Sequence, residues 1–316
     1  MGKYIVTTGQ NIYDIAVCLY GSIEGIVDLF INNPRLSLDD DLKSGDELEY
    51  TDDFIISPDI TAYNRMYSLT PANGQRNVYP KYPRGRLLME FFLEIRHTAT
   101  ILTFSGNGTL EIDWGDNTEI ETTELADSPH ELQHYFNDRV ASMRRIRLYG
   151  DVSFRKLDLS CSEASSVYLL HPARIEKFAG EKMELDISFL SLAQDTCEIN
   201  LKGLQTDDLI PMLPLKKLMR LDLWGARIKP SVLDEYLKAL VTQHYGRRNM
   251  TVILSTVPTG VYREPGKDNN GNYIIASGME AIWILTHEPA WNEAGAWTFI
   301  INQTTYTYEP DNQGNL

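Results

Sequence analysis

The stretch Tyr4-Ile5-Val6-Thr7-Thr8-Gly9-Gln10-Asn11-Ile12-Tyr13-Asp14-Ile15-Ala16-Val17-Cys18-Leu19-Tyr20-Gly21-Ser22 is the most informative part of the chain. Tyr4 to Thr7 carries the aromatic and β-branched residues of a short strand, and Thr8-Gly9-Gln10 reads as a turn. Asn11 is a good helix N-cap, and Asp14 places a carboxylate near the positive end of the helix dipole. Ile12, Ile15, Ala16 and Leu19 recur at helical spacing and predict one buried face. Gly21 supplies the left-handed residue that ends the helix, and Ser22 can cap the next one. A second helix is predicted over 23–32, with Ile26, Val27, Phe30 and Ile31 on one face and Pro34 as the stop. Leu42-Lys43-Ser44-Gly45-Asp46 forms a turn, and Glu47-Leu48-Glu49-Tyr50 forms a closing strand. The predicted order is strand, helix, helix, strand.

These residues carry a resemblance. Tyr4, Val6, Gly9-Gln10, Ile12 and Ile15-Ala16, then Asn32-Asn33-Pro34, then Leu42, Gly45-Asp46, Leu48 and Tyr50 look like a LysM domain. Leu19-Tyr20-Gly21 is similar to the LysM-like modules of phage tail proteins. The resemblance implies a shallow groove for glycans containing N-acetylglucosamine, such as peptidoglycan. Its walls would be Gly9, Gln10, Asn11 and Ile12 on one side and Asn33, Pro34, Arg35 and Leu36 on the other. Backbone groups at Gly9 and the Asn33 amide would bond acetamido groups, and Ile12 would pack on a sugar face. The plainer reading keeps Gly9 as a turn residue, Asn11 as a cap and Asn33-Pro34 as a helix stop. The module would then dock on protein.

The whole chain has 316 residues and a formal net charge of −15. So acidic a chain repels polyphosphate, which argues against nucleic-acid binding. No apolar run approaches the roughly 20 residues of a membrane span. The start lacks the apolar core of a secretory signal. Assembly in the cytoplasm as part of a phage or prophage particle is therefore expected, or display at the cell surface if a signal is removed. Cys18, Cys161 and Cys197 match no zinc or redox spacing. The sequence leaves a Cys161–Cys197 disulfide open.

Residues 58–86 read as a connector rich in Pro and Tyr, with Tyr79-Pro80-Lys81-Tyr82-Pro83 as extended polyproline-like chain. Beyond it the pattern turns to period two. Strands are predicted over 87–95 and 98–104, followed by a tight hairpin at Gly106-Asn107-Gly108. Ile112-Asp113-Trp114-Gly115-Asp116-Asn117 resembles the β-sandwich modules of the PKD type. It also looks like segments that precede leucine-rich repeats in surface proteins of gut anaerobes. Asp113 and Asp116 suit a turn. A calcium site, or an acid pair of Asp113 with Glu121, is the sharper alternative. His134 reads as structural.

From Ile146 onward short apolar strands recur. Leu215, Leu218, Leu221, Leu223, Ala226 and Ile228 are similar to a leucine-rich repeat. A helix is predicted after Pro230-Ser231. Near the end Ala281 to Thr286 reads as a strand. Trp283, Trp291 and Trp297 cluster there, as an interaction surface or as a hydrophobic cap.

The fold expected is α+β and multidomain: a βααβ LysM-like module at 1–57, the connector at 58–86 and a β-sandwich-like segment at 87–150. A short, irregular leucine-rich-repeat-like solenoid at 151–256 and a C-terminal β cap at 257–316 complete it. No serine-hydrolase elbow, His-Glu-x-x-His or phosphate-binding loop occurs. The expected function is a non-catalytic cell-wall-binding or structural protein, with a phage tail component foremost. Its partners would be peptidoglycan and other tail or surface proteins, with no metal or cofactor. The alternatives are an exported adhesion protein and a peptidoglycan hydrolase using a carboxylate pair.

Overall fold

The computed structural model describes the chain except residues 8, 39, 41, 73–80, 117, 137–142, 244–245 and 310–316. Tyr79-Pro80 of the expected polyproline-like stretch, and Asn117, lie outside the described residues. The chain divides into two compact units. One is built on Met1–Lys81 with Asp116–Glu119, the other on Tyr82–Gly115, Ile120–Phe136 and Val140–Leu316.

In the first unit, β1 (Gly2–Ile5) leads to α1 (Ile12–Tyr20), α2 (Ile26–Asn32), β2 (Glu47–Tyr50) and α3 (Pro58–Met66). β1 and β2 pair antiparallel, with Tyr4 opposite Leu48. Asn11 and Asp14 form a reciprocal capping box at the start of α1, and Gly21 ends it at φ +72°. The apolar face of α1 is buried with Val6, Leu29 and Leu48. Gly25 lies under the Tyr20 ring, where a Cβ would come within 2.0 Å of a ring carbon. The chain there tightens into a 3₁₀ turn over Ile23–Gly25, so the predicted long second helix is cut to a short one. The N–H groups of Ile56 and Ser57 both donate to the Tyr20 carbonyl, at 3.0 and 2.9 Å. These bonds tie the start of α3 to the end of α1.

The second unit contains β3 (Leu87–Leu93), β4 (Ala99–Asn107), β5 (Thr109–Asp113), β6 (Glu121–Glu124), β7 (His130–Tyr135) and β8 (Arg144–Tyr149). Then come β9 (Ser153–Asp158), β10 (Ala164–Leu169), β11 (Ala173–Ala179), β12 (Ala193–Gln194), β13 (Glu198–Asn200) and β14 (Arg220–Leu223). The chain closes with α4 (Pro230–Thr242), β15 (Thr251–Leu254), α5 (Gly278–His287), α6 (Pro289–Asn292), β16 (Thr298–Ile301) and β17 (Thr304–Thr307). A five-stranded antiparallel sheet has the order β10-β3-β8-β5-β6. A larger sheet has the order β17-β16-β15-β14-β13-β11-β9-β4-β7, with β12 on β11. From β9 to β16 its neighbours run parallel, and β17, β4 and β7 are antiparallel additions at its ends. One apolar core serves both sheets, with Phe91, Trp114, Phe154, Phe178, Tyr236 and Trp297 fully buried.

Three parallel strands end in the same way. Asp158, Asn200 and Asp222 lie in one row across the sheet. Each side chain accepts from the backbone N–H two residues on, at 3.0, 3.3 and 3.1 Å. Such side-chain-to-backbone bonds favour turns and stop a strand without leaving its last groups unpaired.

The expected α+β, βααβ-led architecture is corrected by this arrangement. Among the described residues strand accounts for 31% and helix for 22%, with only six short α-helices, so the protein is β-rich. The N-terminal unit is not a closed strand-helix-helix-strand module, because a 3₁₀ turn divides its helices and α3 packs onto α1. The expected solenoid is also absent among the described residues. Its leucines are buried, but their strands belong to a sheet continuous with β4 and β7, which come from the segment expected as a sandwich. The hairpin at 106–108 is a crossing instead: β4 lies in the larger sheet and β5 in the smaller one. Gly106 sits at a bulge within β4 at φ +152°, where a Cβ would stand 2.0 Å from the Ser153 carbonyl oxygen, and Gly108, at φ +109°, joins the two strands. Finally, the predicted strand at 281–286 is part of α5. Ser277 caps that helix by accepting from the Glu280 N–H, and burial on nearly every side erases the helical periodicity.

Candidate functional site

The residues expected to read a glycan are mostly occupied by their own chain. Gln10 is buried. Its Oε1 accepts from the Tyr4 hydroxyl and the Thr7 N–H, both at 2.9 Å, and its Nε2 donates to the Pro71 carbonyl at 3.0 Å. The Asn11 side-chain Oδ1 accepts from the Asp14 N–H at 2.9 Å, as a cap. Ile12 lies in the core. Asn33 donates to the Leu29 and Glu49 carbonyls, both at 2.8 Å, and accepts from the Glu49 N–H at 3.0 Å. Leu36 is half-buried against the core, while Pro34 and Arg35 are exposed. Gly9 takes φ +86° with open space beside it. Three polar side chains of the expected groove thus hold the unit together, and Gly9, Pro34 and Arg35 are what it presents to solvent.

The aromatic cluster divides in the same manner. Trp297 is fully buried and stacks on Phe299 at 5.9 Å, so it serves the core. Trp291 is half-buried with its ring edge-on to Trp297 at 5.8 Å. Trp283 is half-buried and stacks on His287 at 4.3 Å with 10° between the planes.

The acidic residues of the Trp-Gly-Asp segment also have structural partners. Asp113 accepts from the Gly115 N–H at 3.0 Å and pairs with Arg147 at 3.1 Å. Glu121 accepts from the Trp114 indole N–H at 2.8 Å. Trp114 in turn stacks on His134 at 4.5 Å. Asp116 accepts from the Thr118 N–H at 3.0 Å. Asp113 and Glu121 are thus engaged separately, one by a guanidinium and the other by an indole. Among the described residues no three His, Cys, Asp or Glu side chains gather as a metal site. All three cysteines are free thiols. No helix among the described residues is long and apolar enough to cross a membrane.

No protein-family model, curated protein or solved structure matches this chain.

The face of α2 divides between core and solvent. The sequence places Ile26, Val27, Phe30 and Ile31 together on one face of the second helix. In the structure Leu29 fills the core and Ile26 and Phe30 pack against it. Ile23, Val27 and Ile31 are instead 56%, 63% and 70% exposed. Val27 and Ile31, four residues apart, lie on one face of α2, and Ile23 is on the 3₁₀ turn before it. On α3 and at its C-cap, Ile60, Tyr63, Met66 and Tyr67 are exposed as well, with the two tyrosine rings 4.6 Å apart. Four-residue apolar spacing was the available signal. It gave the face but not whether that face points to the core or to solvent.

Tyr4 on β1 is half-buried and Tyr20 at the end of α1 is buried. Burial pushes the Tyr4 hydroxyl up to about 12. Burial, reinforced by the bond to Asp28 at 2.7 Å, pushes Tyr20 higher still.

Proposed function

We propose that this chain is a non-catalytic structural protein of a larger assembly, with its N-terminal unit as the docking element. The supporting observation is the exposed row of Ile23, Val27 and Ile31. Large side chains in water at regular spacing mark a contact surface more often than scattered single residues do. Each one buried in an interface contributes about 1.5–3 kcal/mol. Residues 1–81 carry six Lys and Arg against twelve Asp and Glu. The partner is therefore a protein with an apolar groove and a basic rim. The similarity around Leu19-Tyr20-Gly21 to LysM-like modules of phage tail proteins supplies the class of assembly, a phage or prophage tail.

A wall glycan is the second reading. It is favoured by the open Gly9 turn and the exposed Pro34 and Arg35, which leave backbone groups and one cation available.

Two measurements on the full chain decide between them. The first is co-sedimentation with insoluble peptidoglycan. The second is co-purification with the proteins encoded beside it, for the wild type and for Val27→Glu with Ile31→Glu. Docking predicts that the chain stays in the supernatant. It also predicts that the double substitution abolishes co-purification with an unchanged melting curve. Pelleting with peptidoglycan, together with co-purification indifferent to the substitutions, would replace the docking reading with the glycan one.

A further inference from the structure

The first unit contains a cleft of about 360 Å³, lined by side chains from α1, the end of β2, α3 and the turn after α3. None of the eight residues expected to bind glycan lines it. Its volume falls at the low end of the roughly 300–1,000 Å³ that ligand clefts occupy.

The cleft has two kinds of wall. Leu19, Ile55 and Leu69 supply an apolar side. Opposite chemistry comes from Asn64 and Arg65 on α3. The Asn64 side-chain nitrogen is buried with no hydrogen-bond partner. Buried amide donors are paired in the great majority of native structures, so an orphan beside a cleft calls for an occupant. The Arg65 guanidinium is exposed and makes no ion pair or hydrogen bond among the described residues. Asp52, the carboxylate on the lining, is already held by the Met1 amino group at 3.0 Å. The free polar groups of Asn64 and Arg65 are thus donors, next to apolar surface.

We propose that this cleft binds a small molecule bearing one carboxylate and one apolar group. Arg65 takes the carboxylate with its planar fork of N–H groups, a geometry that suits carboxylates better than point anions. The Asn64 amide donates the second bond, and Leu19, Ile55 and Leu69 cover the apolar part. The acidic composition of residues 1–81 disfavours a polyanion and matches a single negative charge to a single arginine. The ligand bridges α1 and α3, so binding stabilises the first unit by mass action. This site is independent of the docking row on α2.

The test is a calorimetric and NMR titration of the full chain with 3-phenylpropionate and, in parallel, with its neutral amide. Saturable binding of the carboxylate is expected, with the amide at least about tenfold weaker because a charge-assisted bond is lost. Arg65→Gln is expected to remove that preference while leaving the fold intact, since the side chain is exposed. Asn64→Asp, which sets a like charge in the cleft, is expected to abolish carboxylate binding. Equal affinity for acid and amide overturns the proposal, as does an Arg65→Gln chain that keeps the preference. Absence of any carboxylate response up to about 10 mM, a very weak limit on the affinity scale, overturns it as well.

Discussion

Asn33 and Glu49 are joined in both directions: the Asn33 amide donates to the Glu49 carbonyl at 2.8 Å and accepts from the Glu49 N–H at 3.0 Å. The same amide also reaches back to the Leu29 carbonyl at 2.8 Å. One side chain thus ties the end of α2 to β2. Asn33→Ala is expected to destabilise the first unit by about 1–3 kcal/mol, the usual result of leaving paired backbone groups without partners. Chemical denaturation of the full chain, followed by a probe in the first unit, measures it. A loss below about 0.5 kcal/mol, the bottom of the range for one bond, would show that water replaces the amide easily.

Gly45 and Gly115 both take left-handed backbone, at φ +99° and +69°. A Cβ on Gly45 meets nothing, whereas one on Gly115 would stand 2.1 Å from the Arg145 carbonyl oxygen. Gly45→Ala is expected to cost about 1 kcal/mol from backbone conformation alone. Gly115→Ala adds a clash with fixed backbone and is expected to exceed about 3 kcal/mol. Comparison of the two melting transitions checks this, and equal losses would refute the crowding at Gly115.

Burial raises the pKa of Asp28, but bonds from the Thr51 N–H, the Thr51 hydroxyl and the Tyr20 hydroxyl outweigh it and leave the carboxyl below its ordinary value. A depressed acid stabilises the fold fully above its unfolded value of about 3.9 and loses that contribution as pH falls through the folded value. The first unit should therefore weaken as the solution is acidified below about pH 4. Asp28→Asn is expected to be less stable at neutral pH and flatter across the acid range. Denaturation midpoints for both proteins between about pH 6 and 2.5, which bracket the transition, provide the measurement. Parallel pH curves would show that Asp28 does not titrate with folding.

Two acids in the second unit should differ sharply. Glu198 bridges Lys177 at 2.8 Å and Arg220 at 3.9 Å on an accessible face of the sheet. Asp234 is buried on α4, where it accepts from the Thr259 N–H at 2.9 Å and from the Thr259 hydroxyl. Glu198→Ala is expected to change stability by less than about 1 kcal/mol, as exposed ion pairs do. Asp234→Ala is expected to cost about 2–4 kcal/mol, because it strands buried donors and opens a cavity. Equilibrium unfolding ranks them, and the reverse order would contradict the burial argument.

The aromatic cluster shows where sequence proximity misleads. Trp283, Trp291 and Trp297 are close in the chain, yet Trp297 is fully buried and the other two are half-buried in different contacts. A tryptophan carries the same composition signal in a core as on a surface. Only the packing of α5 against its neighbours separates the cases. The same holds for Gln10 and Asn33, whose amides suit a sugar or a backbone equally well. Whether the nearest acceptor belongs to a ligand or to the chain is set by segments distant in sequence, Pro71 and Glu49.

Local chemistry was therefore legible in the sequence wherever its cause lies within a few residues. The Asn11 cap, the Gly21 stop and the Pro230 start of α4 are of that kind, as are the turn-forming bonds of Asp113 and Asp116. Each rests on backbone geometry and one short-range hydrogen bond. What only the tertiary structure decided depends on pairing over long separations. The joining of parallel strands to β4 and β7 in one sheet, the helical state of 281–286, and the outward direction of Val27 and Ile31 are such features. A run of leucines specifies that a strand is buried but not which strand lies beside it. Hydrophobic burial carries no direction of its own, and hydrogen-bonding partners are fixed only once the chain has been brought together.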